Sequence, residues 1–269
     1  MKTAIVLSTH ATKFSGVAFK SDLKANVAKI AALGYDGVEL AIRDPALIDA
    51  DALLSVLGEH GLGVPAIGTG QAWGEEGLSY TDPDVDVREA AISRTCAHIP
   101  FAARTGAVII IGLLRGIVKP GVDHGQAMEW LVDALRRCSA AAEPHGVRLV
   151  LEPINRYETT LINDVAQCLD LIAAVGAPNF GVLPDTFHMN IEEPSIAESL
   201  RRAGPRIYHV HLADSNRWYP GAGHIDFAEV VRTLDEVGYT GTLSVEAMPM
   251  PDADTCAIKA METLKPLLS

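Results

Sequence analysis

Four residues of types that bind divalent cations each end a short apolar run in the second half of the sequence. They are Glu152, Asp185, His211 and Glu246, which follow the runs 147–151, 180–184, 207–210 and 242–245. Neighbours in this series are about one βα unit of ~30 residues apart. If the runs are parallel strands, their carboxyl ends meet at one rim. The fold, and not a local motif, would then bring the four side chains together.

Three carboxylates in one dry pocket repel one another by several kcal/mol unless a cation neutralises them. A set of three oxygens and one nitrogen with open positions suits Mn²⁺, Mg²⁺ or Co²⁺ better than a closed tetrahedral zinc site. We expect a divalent metal, with Mn²⁺ first. Any one of these residues alone is more simply a capped or salt-bridged strand end, so the prediction depends on the series of four.

Two further polar residues lie at or near these positions. His209 lies two residues before His211 and faces the same side of its strand, but deeper, so packing or a supporting hydrogen bond is expected rather than ligation. Glu39 ends another run, 37–40, and either supports the site by a hydrogen bond or caps the strand. Pro184 gives up a ladder donor, so regular strand pairing is predicted to end before Asp185.

The elements that position these residues alternate along the whole chain. Buried strands are predicted to begin near Thr3, Asp36, Gly63, Ala107, Val147, Phe180, Arg206 and Thr242. Helical patterns between them include 23–33, 50–59, 128–143 and 227–237. Eight strands each followed by a helix predict a single (β/α)₈ TIM-barrel domain over residues 1–269. An open doubly wound sheet is the alternative, but residues 8–12 lack its glycine-rich phosphate loop.

Residues 72–87, rich in Gly, Asp and Glu, are predicted to form a long loop over the mouth of the barrel after the third strand. Two interpretations stay open for this segment. It is an ordinary surface loop, or it is a lid that closes over a substrate.

Composition narrows the class of protein. The formal net charge of −12 disfavours nucleic acid as a partner. The four cysteines are widely spread without a CxxC pair, which favours reduced structural thiols over thiolate metal ligands. The opening apolar run is too short for a signal peptide, and the longest run, 107–114, is far below the ~20 residues of a membrane span. We expect a soluble cytoplasmic protein without a membrane partner.

Several segments resemble the D-tagatose 3-epimerase group of xylose-isomerase-like TIM barrels. They are 151–158, 185–190, 209–212 and 245–246. Further stretches resemble the bacterial 5-keto-L-gluconate epimerases of inositol catabolism within that group, which make D-tagaturonate. These stretches are 41–45, 66–72, 110–116, 213–218 and 220–227. The resemblance covers essentially the whole chain.

The resemblance implies a carbohydrate epimerase of the isomerase class, acting on a small keto-sugar or keto-sugar acid as a homo-oligomer. It implies the same four metal ligands as the strand-end argument. It also places Glu158, His188 and Arg217 against substrate oxygens. From the sequence alone, the simpler interpretations are a loop salt bridge for Glu158, a hydrogen-bonded loop histidine for His188 and a solvated charge for Arg217.

The expected chemistry is inversion of the carbon between a ketone and its neighbouring hydroxyl. A divalent cation that chelates both oxygens acidifies the C–H bond and stabilises the enediolate. Inversion removes a proton from one face and returns it on the other, which needs two acid/base groups. Glu152 and Glu246 are the expected pair. A keto-uronate adds a carboxylate, for which Arg115 is the first candidate as a bidentate clamp and Arg43 the second. Both arginines equally suit pairing with nearby acids.

Three alternatives remain. An aldose–ketose isomerase would move the proton between adjacent carbons on the same metal site. An endonuclease-IV-like repair enzyme would share the barrel but need more histidine ligands and a basic rim. A catalytically silent sugar-binding barrel is disfavoured because both glutamates are kept.

Overall fold

The computed structural model describes residues 1–268 and shows a ring of eight parallel strands. The strands are β1 (Lys2–Ser8), β2 (Gly37–Ala41), β3 (Ala66–Gly68), β4 (Val108–Ile111), β5 (Leu149–Leu151), β6 (Phe180–Val182), β7 (Val210–Leu212) and β8 (Thr242–Val245). Their order is β6-β5-β4-β3-β2-β1-β8-β7, and a two-residue strand, Phe19–Lys20, pairs beside β1. Helices cover the outside, so the apolar strands are buried on both faces, as expected for parallel sheets.

The ring closes between β6 and β7 through two isolated bridges. Val182 pairs with Ile207, and Asp185 pairs with His211. The amide of His211 donates to the carbonyl of Pro184 at 2.9 Å. Strand β6 ends before Pro184, as predicted from the missing ladder donor. The architecture is therefore the expected (β/α)₈ TIM barrel.

Eleven α-helices lie within the described residues. They are α1 (Leu23–Ala32), α2 (Ala50–Glu59), α3 (Gln71–Glu76), α4 (Val85–Ala97), α5 (Ile99–Thr105), α6 (His124–Ala142), α7 (Val165–Val175), α8 (Thr186–Glu192), α9 (Ile196–Ala203), α10 (Phe227–Glu236) and α11 (Ala253–Leu264). Aspartates cap many of them; Asp49, for example, accepts from the amide of Ala52 at the start of α2. The four predicted helical patterns are all present.

The strand prediction is also confirmed, with small shifts of the starting residues. The largest is in the seventh strand, predicted near Arg206 and observed from Val210, because a 3₁₀ turn, Gly204–Arg206, precedes it. Gly181 on β6 allows this region to pack closely. A Cβ at that position would lie 2.5 Å from the ring of Tyr208 and 2.6 Å from the carbonyl oxygen of Arg206.

The loop predicted over residues 72–87 is wrong at both ends, and its last residues, 85–87, belong to helix α4. Residues 71–76 form helix α3, and residues 79–82 are buried rather than exposed at the surface. Tyr80 is fully buried, and its amide donates to the carbonyl of Leu114. An apolar anchor of this kind is hard to recognise in a segment rich in Gly, Asp and Glu.

No helix within residues 1–268 has the length and apolar character needed to cross a membrane. All four cysteines carry free thiols, and three of them are buried.

Candidate metal centre and active site

The four strand-end residues converge at the carboxyl end of the barrel. Glu152 follows β5, Asp185 lies just beyond β6, His211 lies within β7 and Glu246 follows β8. One ligand atom from each lies within 4.8 Å of those of the other three. Glu152, Asp185 and His211 are buried, and the side chain of Glu246 is 13% exposed. Their common location follows from the topology, because parallel strands deliver their carboxyl ends to one rim.

His211 lies at the centre of this group and presents Nδ1 to it. Nδ1 lies 3.2 Å from Oε1 of Glu152, 3.8 Å from Oδ2 of Asp185 and 3.7 Å from Oε2 of Glu246. Asp185 uses its other oxygen, Oδ1, to accept from the amide of Phe187 at the start of α8. Oδ2 is thereby directed to the centre of the group.

The donor set fits a divalent cation. Three carboxylates and one imidazole nitrogen are ligands that Mn²⁺, Mg²⁺ and Co²⁺ accept, and they leave positions open for a substrate. Nδ1 of His211 is too far from Asp185 and Glu246 for hydrogen bonds to hold these groups together. The spacing leaves room for an ion between them.

The electrostatics of the group point in the same direction. Burial raises the pKa of the Glu152 carboxyl, but its hydrogen bond to His211 and the charge of that ring bring the pKa down to about 2. Burial, only partly offset by His211, raises the pKa of Glu246 well above its usual value, and the charge of Glu152 adds to this. Burial lowers the pKa of His211, yet the negative charges of Glu39 and Glu246 raise it overall. A cation among these carboxyl groups would reduce the repulsion between their negative charges.

The three residues expected to touch substrate line the same cavity of about 290 Å³ as Glu152, His211 and Glu246. Nη1 of Arg217 donates to Oε1 of Glu158 at 2.8 Å, and Nη2 lies 3.9 Å from Oε2 of Glu246. Its guanidinium carbon lies 4.9 Å from the ring centroid of Phe187 and 5.5 Å from that of Phe14. Stacking on two rings fixes the plane of this cation beside the four converging residues.

His188 is oriented by Asn155, a residue that the sequence did not single out. The amide of Asn155 and its side-chain Nδ2 both lie near Nδ1 of His188, at 3.4 Å and 2.8 Å. Nδ1 therefore accepts, and the ring proton is on Nε2, which lies 4.0 Å from Oε1 of Glu152. Nδ2 of Asn155 also donates to Glu158 at 3.0 Å. A single loop asparagine carries no sequence signal for this role.

Arg115 does not line the cavity, so the prediction that it binds a substrate carboxylate is wrong. The side chain is fully buried. Its guanidinium donates to the main-chain carbonyls of Gly112, Glu152, Leu161 and Ile162. A 3₁₀ turn after β4, Leu113–Arg115, turns the side chain inward behind Glu152. Arg115 holds the backbone of this region and cannot also reach a ligand.

Arg43, the second clamp candidate, pairs with acids of helix α3. It donates to Glu75 at 2.9 Å and lies 3.3 Å from Glu76. Arg94 of α4 donates to Glu76 at 2.8 Å. These pairs hold α3 over the cavity, where Trp73, Gly74 and Glu75 form part of the wall. Part of the segment therefore lines the cavity as an anchored helix, and closure over a substrate stays a prediction.

Comparison with known proteins agrees with this geometry. Residues 27–267 match the family model described as a xylose isomerase-like TIM barrel. The chain is 32% identical over 249 residues to an L-ribulose 3-epimerase of Mesorhizobium japonicum, covering 90% of this chain and 80% of that one. It is 32% identical over 235 residues to a D-psicose 3-epimerase of Ruminiclostridium cellulolyticum, covering 85% and 79%.

Among solved structures, D-psicose 3-epimerase with D-tagatose from Clostridium cellulolyticum H10 superposes with a TM-score of 0.85. The two chains are 25% identical, and the match covers 100% of both.

Proposed function

Because the chain belongs to the xylose isomerase-like TIM barrel family, we propose that it is a metal-dependent epimerase that inverts the carbon next to the ketone of a keto-sugar or keto-sugar acid. The observation that carries this proposal is the convergence of Glu152 and Glu246 with Asp185 and His211 on one centre. The similarity to relatives named as ketose 3-epimerases supports the reaction class.

Glu152, Asp185, His211 and Glu246 would hold the divalent cation, with Mn²⁺ proposed first. When bound, the cation supplies positive charge beside the ketone and its neighbouring hydroxyl, which acidifies the C–H bond between them. Burial of Glu152, Asp185 and His211 strengthens the charge interactions among these side chains.

Glu152 and Glu246 are proposed to move the proton. Their carboxyl pKa values are displaced in opposite directions, to about 2 for Glu152 and well above the usual value for Glu246. Metal binding removes the proton that Glu246 holds at its raised pKa, so the two roles rest on position. The glutamates follow β5 and β8, which are three strands apart around the ring. One glutamate removes the proton from one face of the carbon, and the other returns a proton to the opposite face. The roles exchange when the reaction runs backwards.

His188, Arg217 and Glu158 are proposed to orient the substrate. Nε2–H of His188 and the guanidinium of Arg217 are donors near Glu152 and Glu246 respectively. They suit substrate oxygens on which negative charge develops as the proton leaves. Glu158 accepts from Arg217 and Asn155, so it also keeps these donors in place.

For the substrate, we propose conversion of 5-keto-L-gluconate to D-tagaturonate. The support is the resemblance of segments such as 213–218 and 220–227 to enzymes of that type. Because the Arg115 guanidinium binds main-chain carbonyls, the substrate carboxylate needs another cationic side chain as its partner. Lys13 is the only lysine among the described residues that line the cavity, and it lies on the exposed loop after β1. We assign it as the partner of the substrate carboxylate.

The decisive experiment uses purified protein with Mn²⁺ in D₂O. 5-Keto-L-gluconate, D-tagaturonate, D-fructuronate and neutral ketohexoses are tested as substrates, with products identified by NMR. The expected result is inversion and deuterium incorporation at the carbon next to the ketone. An aldose product would instead establish isomerisation, and absence of turnover on every ketose would overturn the proposal.

A further inference from the structure

A buried carboxylate supports His211 from the side opposite to the proposed metal centre. Glu39 extends from β2 into the barrel and is 1% exposed. Its Oε1 lies 2.9 Å from Nε2 of His211, and its Oε2 lies 2.7 Å from Nε2 of His209. The rings of the two histidines lie edge to face, with centroids 5.5 Å apart. One carboxylate therefore connects both imidazoles of β7.

This arrangement decides which nitrogen of His211 is available as a ligand. A carboxylate between two imidazoles accepts hydrogen bonds from both, and the oxygens of Glu39 lie 2.7 Å from Nε2 of His209 and 2.9 Å from Nε2 of His211. Nε2 of His211 must then carry a proton. The remaining nitrogen, Nδ1, faces Glu152, Asp185 and Glu246. An imidazole held in this way can offer its lone pair in only one direction.

His209 gives Glu39 its own orientation. It lies deeper in the barrel than His211, is 1% exposed, and donates to Oε2. With one oxygen held by His209, the carboxylate cannot rotate away from His211. The order of contacts is therefore His209 to Glu39 to Nε2 of His211.

A buried charge in this place is costly for the fold. Removing a carboxylate from water costs several kcal/mol, and apolar residues of similar volume often serve a core as well or better. Neighbouring positions that face the barrel interior include the apolar residues Val6, Ala41 and Ile110. The hydrogen bond that Glu39 makes to His211 at the proposed metal centre gives a reason for a charged side chain at this position.

We propose that Glu39, held by His209, is the positioning residue that fixes the tautomer and ring orientation of His211 and so sets the affinity of the metal centre. The inference rests on the proposed function, because it takes the four converging residues as metal ligands. Partners of this kind typically change metal affinity by about 10- to 100-fold when they are removed.

The test substitutes Glu39→Gln, which keeps the shape but places an amide N–H₂ against one of the two Nε2–H groups. The matched control is Glu193→Gln, since Glu193 also accepts two hydrogen bonds, from the amide of Val165 and the hydroxyl of Ser199, away from the cavity. The Kd for Mn²⁺ is measured by electron paramagnetic resonance of the free ion. Glu39→Gln is expected to weaken binding about 10- to 100-fold, and the control to leave it unchanged.

Two further measurements separate positioning from a general loss of structure. In the Zn²⁺-loaded wild type, ¹⁵N NMR of the histidines is expected to show His211 with a proton on Nε2 and Nδ1 bound to metal. His209→Gln is a second variant that keeps all four ligands, and it is expected to weaken Mn²⁺ binding about 10-fold. The double variant is expected to be non-additive, since both act through one contact.

The outcomes are distinguishable. Wild-type Mn²⁺ affinity retained in folded Glu39→Gln, or a metal bound through Nε2 of His211, overturns the inference and leaves the proposed function intact. Failure of the wild type to bind any divalent cation overturns both.

Discussion

Nδ1 of His211 and Oε1 of Glu152 are within hydrogen-bonding distance of each other, at 3.2 Å. A proton on Nδ1 occupies the direction in which a metal ligand must present its lone pair. A proton on Nδ1 of His211 and a metal ion bound to that nitrogen are therefore mutually exclusive. This relationship predicts how the affinity of the centre depends on pH.

The first prediction is that divalent metal binds more tightly as pH rises. Burial lowers the pKa of His211, but Glu39 and Glu246 raise it overall, and burial raises the pKa of Glu246. Both groups hold protons below these raised pKa values, so the cation must displace them. Calorimetry in two buffers of different ionisation enthalpy should show proton release, and the Kd for Mn²⁺ should be weaker at about pH 6 than at about pH 8. Equal affinity and no proton release would contradict the assignment of the ligands.

The second prediction concerns the proposed acid/base pair. Glu152→Gln and Glu246→Gln should each reduce kcat for epimerisation by about 10²- to 10⁴-fold, since each removes one proton-transfer group. Saturating Mn²⁺ controls for lost ligation, and exchange of the reacting C–H with D₂O reports the proton steps directly. If either variant epimerises at the wild-type rate, the two-carboxylate scheme is wrong.

The third prediction assigns Arg115 to stability rather than to substrate charge. Arg115→Met leaves four main-chain carbonyls without this donor. The carbonyls of Gly112 and Ile162 also accept from the amides of Arg115 and Ile154, so those of Glu152 and Leu161 are the two most affected. At about 1–3 kcal/mol for each unsatisfied buried acceptor, the unfolding free energy should fall by about 2–6 kcal/mol.

Arg136→Met is the matched control, because this exposed arginine donates to the carbonyls of Ala174 and Val175 at the end of α7. It should cost less than about 1 kcal/mol. Urea unfolding measures both variants. A selective loss of turnover on keto-uronates in folded Arg115→Met would restore the clamp.

The fourth prediction tests the proposed carboxylate partner. Lys13→Met should raise KM for 5-keto-L-gluconate about 10-fold or more, because one charge-assisted contact is typically worth about 1.5–3 kcal/mol. KM for a neutral ketohexose should not change. Lys24→Met on the outside of α1 is the control for net charge. Parallel changes on acidic and neutral substrates would exclude Lys13 as the discriminating group.

The fifth prediction concerns the closure of the ring. Gly181→Ala places a methyl group 2.5 Å from the ring of Tyr208 and 2.6 Å from a carbonyl oxygen, so it should cost about 1–3 kcal/mol. Gly58→Ala is the opposite case, since Gly58 lies within α2 and an added Cβ meets nothing within 4 Å. It should stabilise the protein by about 0.5–1 kcal/mol. Thermal unfolding that shifts both variants in the same direction would contradict this account.

The barrel and the four converging residues could be predicted from the sequence because both follow from one regularity. Apolar runs about thirty residues apart define the strands, and each residue that ends a run is carried to the same rim. Glu152 and Glu246 are far apart in sequence, yet their meeting needs only the topology. Gly34 and Gly176 follow helices α1 and α7 with positive φ, which is common for glycine at the end of a helix.

The directions of long side chains could not be predicted in this way. Arg115 follows β4, which was the reason to expect it in the site. A 3₁₀ turn at Leu113–Arg115 instead directs its side chain behind the cavity. The prediction that Glu39 ends its strand is wrong, because it lies in the middle of β2. Its two histidine partners come from the part of the chain at β7. Helix α3 owes its position to ion pairs with Arg43 and Arg94, which a single sequence does not connect. The homo-oligomer stays a prediction.

The joint between β6 and β7, where two isolated bridges close the ring, is expected to let the proposed metal centre change its width. Asp185 and His211 are two of the four proposed metal ligands, and their main chains form one of the two isolated bridges at that joint. A cation of larger radius needs these donors to move apart, and here no continuous ladder resists the movement. We expect the centre to accommodate ions of different size by widening this joint. A covalent crosslink across it would narrow the choice of ion.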